Sequence, residues 1–315
     1  MSKQPIRIGT RGSKLALWQA YYVAERLKEA GYPSEIITIE TKGDKVLDVS
    51  IAKIGSKGVF TEEIEEQLQQ GLIDIAVHSA KDMQSQLPVG FELIAFTERE
   101  QVEDVILSHK TDIDIHDSSK PLVLGTSSAR RVATLRHFYP HVKTVEIRGN
   151  LQTRIRKMEE GQCDALLLAY AGVYRMGYDE RIVSKLPLDQ FIPAVGQGSV
   201  AVEASFLLDP AIRQIIRDHV NDPASENRLL AERSFLRRLE GGCSIPAFAL
   251  AYHIAGALVI EGGLISLDGQ ERIVRRLEGT PAEAEALGLQ LAENILSLGG
   301  DRILKEIKAH QASGE

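Results

Sequence analysis

Ile6-Arg7-Ile8-Gly9-Thr10, followed by Lys14 to Ala30 and then Ser34 to Thr41, is the stretch that decides the fold. The first run reads as a short strand and Arg11-Gly12-Ser13 as a turn. Leu17, Tyr21, Ala24 and Leu27 then share one helical face, and Gly31 ends the helix. Ile36-Ile37-Thr38-Ile39 is a β-rich run inside the second strand. Strand, helix, strand is the repeating unit of an α/β domain.

Working outward, Thr61 is the expected N-cap of a helix to about Gln70, with Glu62 and Glu63 in its first turn. Ile73 to His78 is the next strand, and it runs into Ser79-Ala80-Lys81-Asp82. A second α/β block begins near residue 104. Its strands are read at Pro121–Gly125, Val142–Ile147 and Asp164–Ala169, each followed by a helix, to about Phe138, Glu160 and Met176. Pro193-Ala194-Val195-Gly196-Gln197-Gly198 predicts a hinge or tight turn, after which Val200 to Leu207 packs back on the first block. From about Asn221 the character changes to α+β. Pro223 to Leu239 and Ala282 to Ser297 are helical, and Phe248–Ile260 and Gly263–Leu277 are strands around Gly262-Gly263 and Asp268-Gly269. The expected division is residues 1–98 with 198–219, then 104–193, then 221–315.

Composition is that of a globular chain, 43% hydrophobic and 26% charged over 315 residues. The longest apolar runs, such as Ala165-Leu166-Leu167-Leu168-Ala169, fall far short of the ~20 residues that span a bilayer. The first residues lack the apolar stretch of a signal peptide, so a cytoplasmic setting is expected, with both cysteines as free thiols. A net charge of −7 argues against a general nucleic-acid binder. Yet Arg130, Arg131, Arg136, Arg148, Arg154, Arg156 and Arg175 concentrate in one region, as suits a cleft for an anion.

The strand-to-helix junctions carry the chemistry. Gly125-Thr126-Ser127-Ser128-Ala129-Arg130-Arg131 sets small polar residues at a helix N-terminus, with two arginines in the first turn. Free N–H groups, hydroxyls and the helix dipole favour an anion there. Arginines at that positive end oppose stability and so hint at function; the plain alternative is an ordinary cap with exposed arginines. Arg148 to Arg154 repeats the arrangement, as do Arg11 and Ser13. Arg175, taken alone, reads as a solvated helix-end arginine.

Asp82 after a buried strand suits proton handling or cation stabilisation, but by its local sequence alone a helix cap or salt bridge is the favoured reading. His78 reads as a packed strand residue. The eight histidines show no metal spacing, and no metal is expected. Gly55-Ser56-Lys57-Gly58 lacks the glycine spacing of a phosphate-binding loop. Thr41 to Phe60, with three glycines and four lysines, is either a functional lid or a solvated surface loop. Cys163, opening a buried strand, reads as a packing residue. Cys243 differs: Glu240-Gly241-Gly242-Cys243-Ser244-Ile245-Pro246 describes a tight irregular loop that displays its thiol.

Taken in order, these segments resemble the porphobilinogen deaminase (hydroxymethylbilane synthase) family. The resemblance runs through Gly9-Thr10-Arg11-Gly12-Ser13, Leu15-Ala16-Leu17-Trp18-Gln19, Lys57-Gly58-Val59-Phe60, His78-Ser79-Ala80-Lys81-Asp82 and Gly125 to Arg131. It continues through Arg148-Gly149-Asn150 with Thr153-Arg154, Pro193 to Gly198, and Glu240 to Cys243, so it spans nearly the whole chain. The resemblance implies two type II periplasmic-binding-protein-like α/β domains plus a small α+β C-terminal domain. It also implies a dipyrromethane cofactor joined by a thioether to Cys243, onto which four porphobilinogen molecules are deaminated and added in succession, releasing hydroxymethylbilane. Loss of ammonia gives an electrophilic azafulvene, and Asp82 matches the carboxylate that assists it. Cofactor contacts are implied for Lys81, Asp82, Thr126, Ser127, Ser128, Arg130, Arg131, Arg148 and Gly149. Contacts to substrate and the growing polypyrrole chain are implied for Arg11, Ser13, Phe60, Arg148, Arg154, Arg175 and Gln197. The resemblance favours a monomer without nucleic-acid or membrane partners.

Two departures from the family pattern stand out. After Asp82 the usual proline is replaced, giving Met83-Gln84. In the crossover, Glu100-Gln101-Val102-Glu103-Asp104-Val105 lacks a usual proline and arginine. These are expected to affect loop and hinge stiffness, not reaction type. Against the enzyme reading stand a non-catalytic anion-binding receptor, which leaves Cys243 unexplained, and a nucleic-acid module, which the acidic charge disfavours.

Overall fold

A computed structural model describes residues 4–45, 61–242 and 245–313. Three sheets organise them. The first has strand order β2-β1-β3-β10-β4, from β1 (Ile6–Thr10), β2 (Ser34–Thr38), β3 (Ile75–Ser79), β4 (Phe91–Phe96) and β10 (Val200–Ser205). The second has order β7-β6-β8-β5-β9, from β5 (Asp104–Leu107), β6 (Val123–Gly125), β7 (Lys143–Val145), β8 (Ala165–Ala169) and β9 (Ile182–Lys185).

The two orders are the same order. Each sheet has a parallel trio, β2-β1-β3 or β7-β6-β8. Each then receives one strand directly from the other half of the chain, antiparallel to both its neighbours: β5 after residues 97–103, β10 after residues 193–199. That exchange is the type II periplasmic-binding-protein arrangement, and it makes two crossover segments the only links between the sheets. The expectation that Val200 onward returns to the first block holds, and all six residues of β10 are buried.

Helices cover both faces because the strands are apolar on both. Helix α1 (Lys14–Glu29) buries Ala20, Val23 and Leu27 against Ile6, Ile8, Val77 and Val202. Helix α2 (Glu62–Gln69) lays Ile64 and Leu68 over Ile39, Ile73 and Ala76 on the other face. In the second sheet α3 (Ala129–Phe138), α4 (Leu151–Glu159) and α5 (Tyr170–Arg175) follow β6, β7 and β8 in turn. Ser128 and Asn150 cap α3 and α4 through their side chains, as their types predict. Thr61 departs from expectation: its backbone carbonyl opens α2, and its hydroxyl makes no cap.

The third sheet, β11 (Ala247–Ile254), β12 (Ala257–Ile265) and β13 (Arg272–Gly279), packs on α7 (Pro223–Arg238), α8 (Ala284–Ile295) and α9 (Asp301–Ser313). Helix α6 (Pro210–His219) closes the first sheet. Here the sequence reading needs correction. The first turn is at Ala255-Gly256, and Gly262-Gly263 lie inside β12. They are glycines because neighbouring strands come close: a Cβ on Gly262 would stand 2.8 Å from the Phe248 carbonyl, and one on Gly263 would overlap the Ile273 carbonyl. Two expected strands are therefore three.

Candidate active site

Parallel strands place their C-terminal ends along one edge. In the first sheet that edge carries Arg11, Ser13 and the turn Ala80–Asp82; in the second it carries 126–131, 148–154 and 170–175. The edges face each other. Arg175 of α5 lies over the Trp18 ring of α1 at 5.1 Å, and both line a cavity of about 390 Å³ with Lys14, Leu17 and Gln152.

Lys81 and Asp82 form one 3-10 turn at the end of β3. Ala80 N donates to Ser199 O at 3.0 Å, Met83 is buried, and Gly196 abuts the backbone. The carboxylate of Asp82 is exposed, and among the described residues nothing pairs with it or with Lys81 Nζ. Burial pushes the Lys81 ammonium down to about 8, with Arg131 and Arg154 lowering it further and Asp82 and Asp104 opposing. Charges from both sheets thus act on one lysine.

Arg131 is placed otherwise than an anion-binding arginine at a helix start. It is 6% exposed; Nε and Nη2 donate to Asp104 Oδ1 at 3.1 and 2.7 Å, and Nη1 donates to Leu167 O. Arg130, also buried, meets Asp104 Oδ2 at 2.8 Å and donates to Ile192 O. Burial alone would raise the Asp104 carboxyl, but the two guanidinium groups hold it well below the usual carboxylate range. The two arginines at the positive end of α3 are therefore both paired internally with Asp104, and neither is the exposed residue of the plain reading.

Arg154 keeps its reach. Only its Nε is engaged among the described residues, at 2.7 Å to Gly149 O, and burial followed by Arg131 lowers its affinity for its proton while Asp82 opposes. Arg148 pairs with Glu146 at the rim. Thr126 is buried with its hydroxyl accepting from Ser128 N; Ser127 is exposed; Ser13 caps α1 by accepting from Ala16 N. Arg175 Nη2 donates to Gly198 O at 2.6 Å, while its buried Nε is orphaned. Two members of the expected basic region lie elsewhere: Arg136 binds Leu267 O of the third unit, and Arg156 is exposed beside Glu160.

Gln197 sits inside the crossover at 1% exposure, donating to Val102 O at 2.7 Å and Asp104 Oδ1 at 3.0 Å. That is a positioning place. Cys243 and Phe60, and residues 46–60 of the expected lid, lie outside the described residues. Cys163 is buried, and burial pushes its thiol up to about 11, as befits a packing residue.

Sequence reasoning missed the charges that fix the crossovers. Glu232 of α7 is fully buried and accepts from Arg99 Nη1 and Nη2 at 2.5 and 3.0 Å, from Gly196 N at 2.9 Å and from Ala251 N at 2.8 Å. One carboxylate thus ties both crossovers to the third unit. A lone Glu in a helix rich in charges carried no signal of this. Nor did Glu203, buried on β10, 3.0 Å from His78 Nε2.

The porphobilinogen deaminase dipyromethane cofactor binding domain matches residues 6–207, and the porphobilinogen deaminase C-terminal domain matches 227–297. Porphobilinogen deaminase of Desulfosudis oleivorans is 58% identical over 308 residues, covering 98% of this chain and 99% of its own.

The chain belongs to the porphobilinogen deaminase family.

The relative from Cytophaga hutchinsonii is 57% identical over 303 residues (96% and 97% covered), and that from Geobacter sulfurreducens 41% over 319 (100% and 98%). Among solved structures, the second substrate binding domain of a putative amino acid ABC transporter from Streptococcus pneumoniae is 13% identical with a TM-score of 0.42, covering 69% of this chain and 91% of that one. The fold assignment rests on the strand order above. As a porphobilinogen deaminase the chain is a transferase of tetrapyrrole biosynthesis with a dipyrromethane cofactor-binding domain, and the reading as a non-catalytic receptor falls away. The donor set fits such a group: among the described residues the Lys81 ammonium is unbonded, the Arg154 guanidinium is half engaged and the Nε atoms of Arg130 and Arg175 are orphaned, which suits a compound bearing several carboxylates.

Proposed function

We propose that the facing edges form the polymerisation site and that Cys243 carries the dipyrromethane through a thioether. The observation that carries this is the closeness of the two strand-end edges, where Arg175 of one lies over Trp18 of the other, with Lys81 and Asp82 unpaired among the described residues. When bound, the cofactor supplies the nucleophilic pyrrole carbon that receives the first unit.

The chain's residues supply everything else. Lys81, Arg148 and Arg154 neutralise cofactor carboxylates, with Thr126, Ser127, Ser128 and Gly149 donating hydroxyl and backbone hydrogen bonds. Arg130 and Arg131 act largely through Asp104, which spreads their charge along the cleft wall. Arg11, Ser13, Phe60 and Arg175 take the incoming porphobilinogen and the growing chain, and Gln197 keeps Asp104 in register. Asp82 carries a carboxylate that no arginine pairs with among the described residues. Its fixed negative charge stabilises the cation formed as ammonia leaves, and it accepts the proton released when the new bond forms. Domain limits of 1–98 with 198–219, 104–193 and 221–315 follow the three sheets, and the reading includes a monomer in the cytoplasm.

Intact mass of freshly isolated protein tests the proposal. The wild type carries the extra mass of a dipyrromethane and Cys243→Ala does not. A bare wild-type chain that is also inactive overturns it.

A further inference from the structure

Leu17 and Tyr21 read as core residues of α1 because they share a helical face with Ala24 and Leu27. The structure turns that face otherwise. The buried residues of α1 are Gln19, Ala20, Val23 and Leu27, whereas Leu17 is only partly buried and Tyr21 is 62% exposed. Lys14, Leu17, Trp18 and Tyr21 fall at i, i+3, i+4 and i+7 and so form a second stripe along the helix. That stripe lines the cavity of about 390 Å³, whose other wall is Gln152 of α4 with Arg175, Met176 and Tyr178. Gln152 stands two residues before Arg154 on the same helix, and such neighbours do not share a face. Arg154 acts on Asp82, and Gln152 lines this cavity.

The lining carries charge of one sign. It holds two cations, Lys14 and Arg175, and no carboxylate. Among the described residues the side chains of Lys14, Gln152 and Tyr21 make no hydrogen bond or ion pair, and Arg175 Nε is buried without a partner. A larger cavity of about 840 Å³ shares Trp18 and Tyr21, but its one cation, Lys28, is paired with Glu25 at 2.9 Å. A space of the smaller one's size, apolar in part and with a few unspent polar groups converging on it, suits a small organic ligand, and its charge selects an acid. We infer that this cavity is an accessory site for a carboxylated pyrrole, set apart from the place where bonds form. Lys14 and Arg175 take its acid groups, Gln152 adds an amide, and Leu17 and Met176 cover its ring. The inference deepens, and rests on, the reading of the facing edges as the polymerisation site. Free porphobilinogen and the units of the growing chain share this chemistry.

Trp18 is the only tryptophan of the chain, and it is held by the Arg175 guanidinium at 5.1 Å and the Tyr22 ring at 5.5 Å, so its emission reports on this cavity. Cofactor-loaded enzyme is titrated with a pyrrole that bears the acetate and propionate arms but no aminomethyl group and therefore cannot lose ammonia. Trp18 emission is expected to shift saturably in the wild type. Lys14→Gln and Gln152→Leu are each expected to weaken the titrated affinity about tenfold, the scale of one hydrogen bond to a charged group. Limiting porphobilinogen, followed by intact mass, then tells the source. If units of the attached chain use the cavity, shorter chains accumulate in the two variants. If free porphobilinogen uses it, the distribution of lengths is that of the wild type and KM rises. A wild-type emission that does not respond overturns the proposal, and so do variants that titrate like the wild type. A bare Cys243 in the intact mass defeats the thioether reading and leaves the titration to decide the cavity by itself. An unresponsive Trp18 in loaded, active enzyme defeats the cavity and leaves the polymerisation site standing.

Discussion

Arg131 clamps one oxygen of Asp104 through two nitrogens, at 3.1 and 2.7 Å, while Arg130 takes the other oxygen at 2.8 Å. Two cations thus share one fully buried anion, which leaves a net positive charge inside the cleft wall without a free arginine. Removing the anion strands both. Asp104→Asn is expected to destabilise the protein by about 3–5 kcal/mol, the cost of breaking a buried ion pair on one side. Urea unfolding measures it, and a loss below about 1 kcal/mol removes Asp104 from this role.

Asp82 is exposed, and among the described residues its carboxylate makes no hydrogen bond or ion pair. Asp82→Asn is therefore expected to leave the melting temperature within experimental scatter and to lower kcat by about 10²–10⁴, the range for a missing acid–base group. Near-normal turnover would exclude the carboxylate from the chemistry.

Lys81 predicts a pH dependence. Its folded-state pKa is lowered to about 8. A bound polyanion favours the charged amine, so affinity is full below pH 8 and declines as pH rises from there. For folding of the cofactor-free chain the sign is opposite: the buried charge costs stability below pH 8, and the cost fades toward the ordinary lysine value. Loading of the cofactor-free chain with the dipyrromethane, followed by intact mass against pH, falls above pH 8 in the wild type, and Lys81→Arg flattens the fall because arginine keeps its charge. An unchanged fall in that variant assigns the effect to another group.

Gly196 links hinge and site. Its φ is +76°, and a Cβ there would lie 2.8 Å from Ala80 C and 2.9 Å from Lys81 N. Gly196→Ala is expected to cost about 1–3 kcal/mol in backbone strain. It also pushes the Lys81-Asp82 turn, so kcat falls roughly tenfold or more while KM changes less. Stability loss without any change in kcat disconnects the glycine from the turn.

Much of this molecule was legible along the chain. Hydrophobic period, caps and glycine stops located the α/β units, because those signals act within a few residues. That Arg11, Lys81, Asp82, Arg148 and Arg154 follow strands was also readable, since the strands that precede them were. Strand count in the third sheet was not. Gly262-Gly263 looks like a turn locally, and only the approach of Phe248 and Ile273 from neighbouring strands makes it the middle of β12.

The partners of charges were beyond sequence altogether. Asp104 lies 26 and 27 positions from the arginines it joins, Glu232 lies 133 from Arg99, and Gln84 lies 149 from Arg233. Local composition marks where a carboxylate or guanidinium is. Whether it stays free for a ligand or is consumed by the fold depends on which distant segment packs against it, and burial makes that choice energetically large. Sequence alone therefore determined the kind of fold, the family and the chemistry of the edge. Tertiary structure alone decided that Arg130 and Arg131 are spent on Asp104, and that Asp82 and the Lys81 ammonium stay without a hydrogen-bond partner among the described residues.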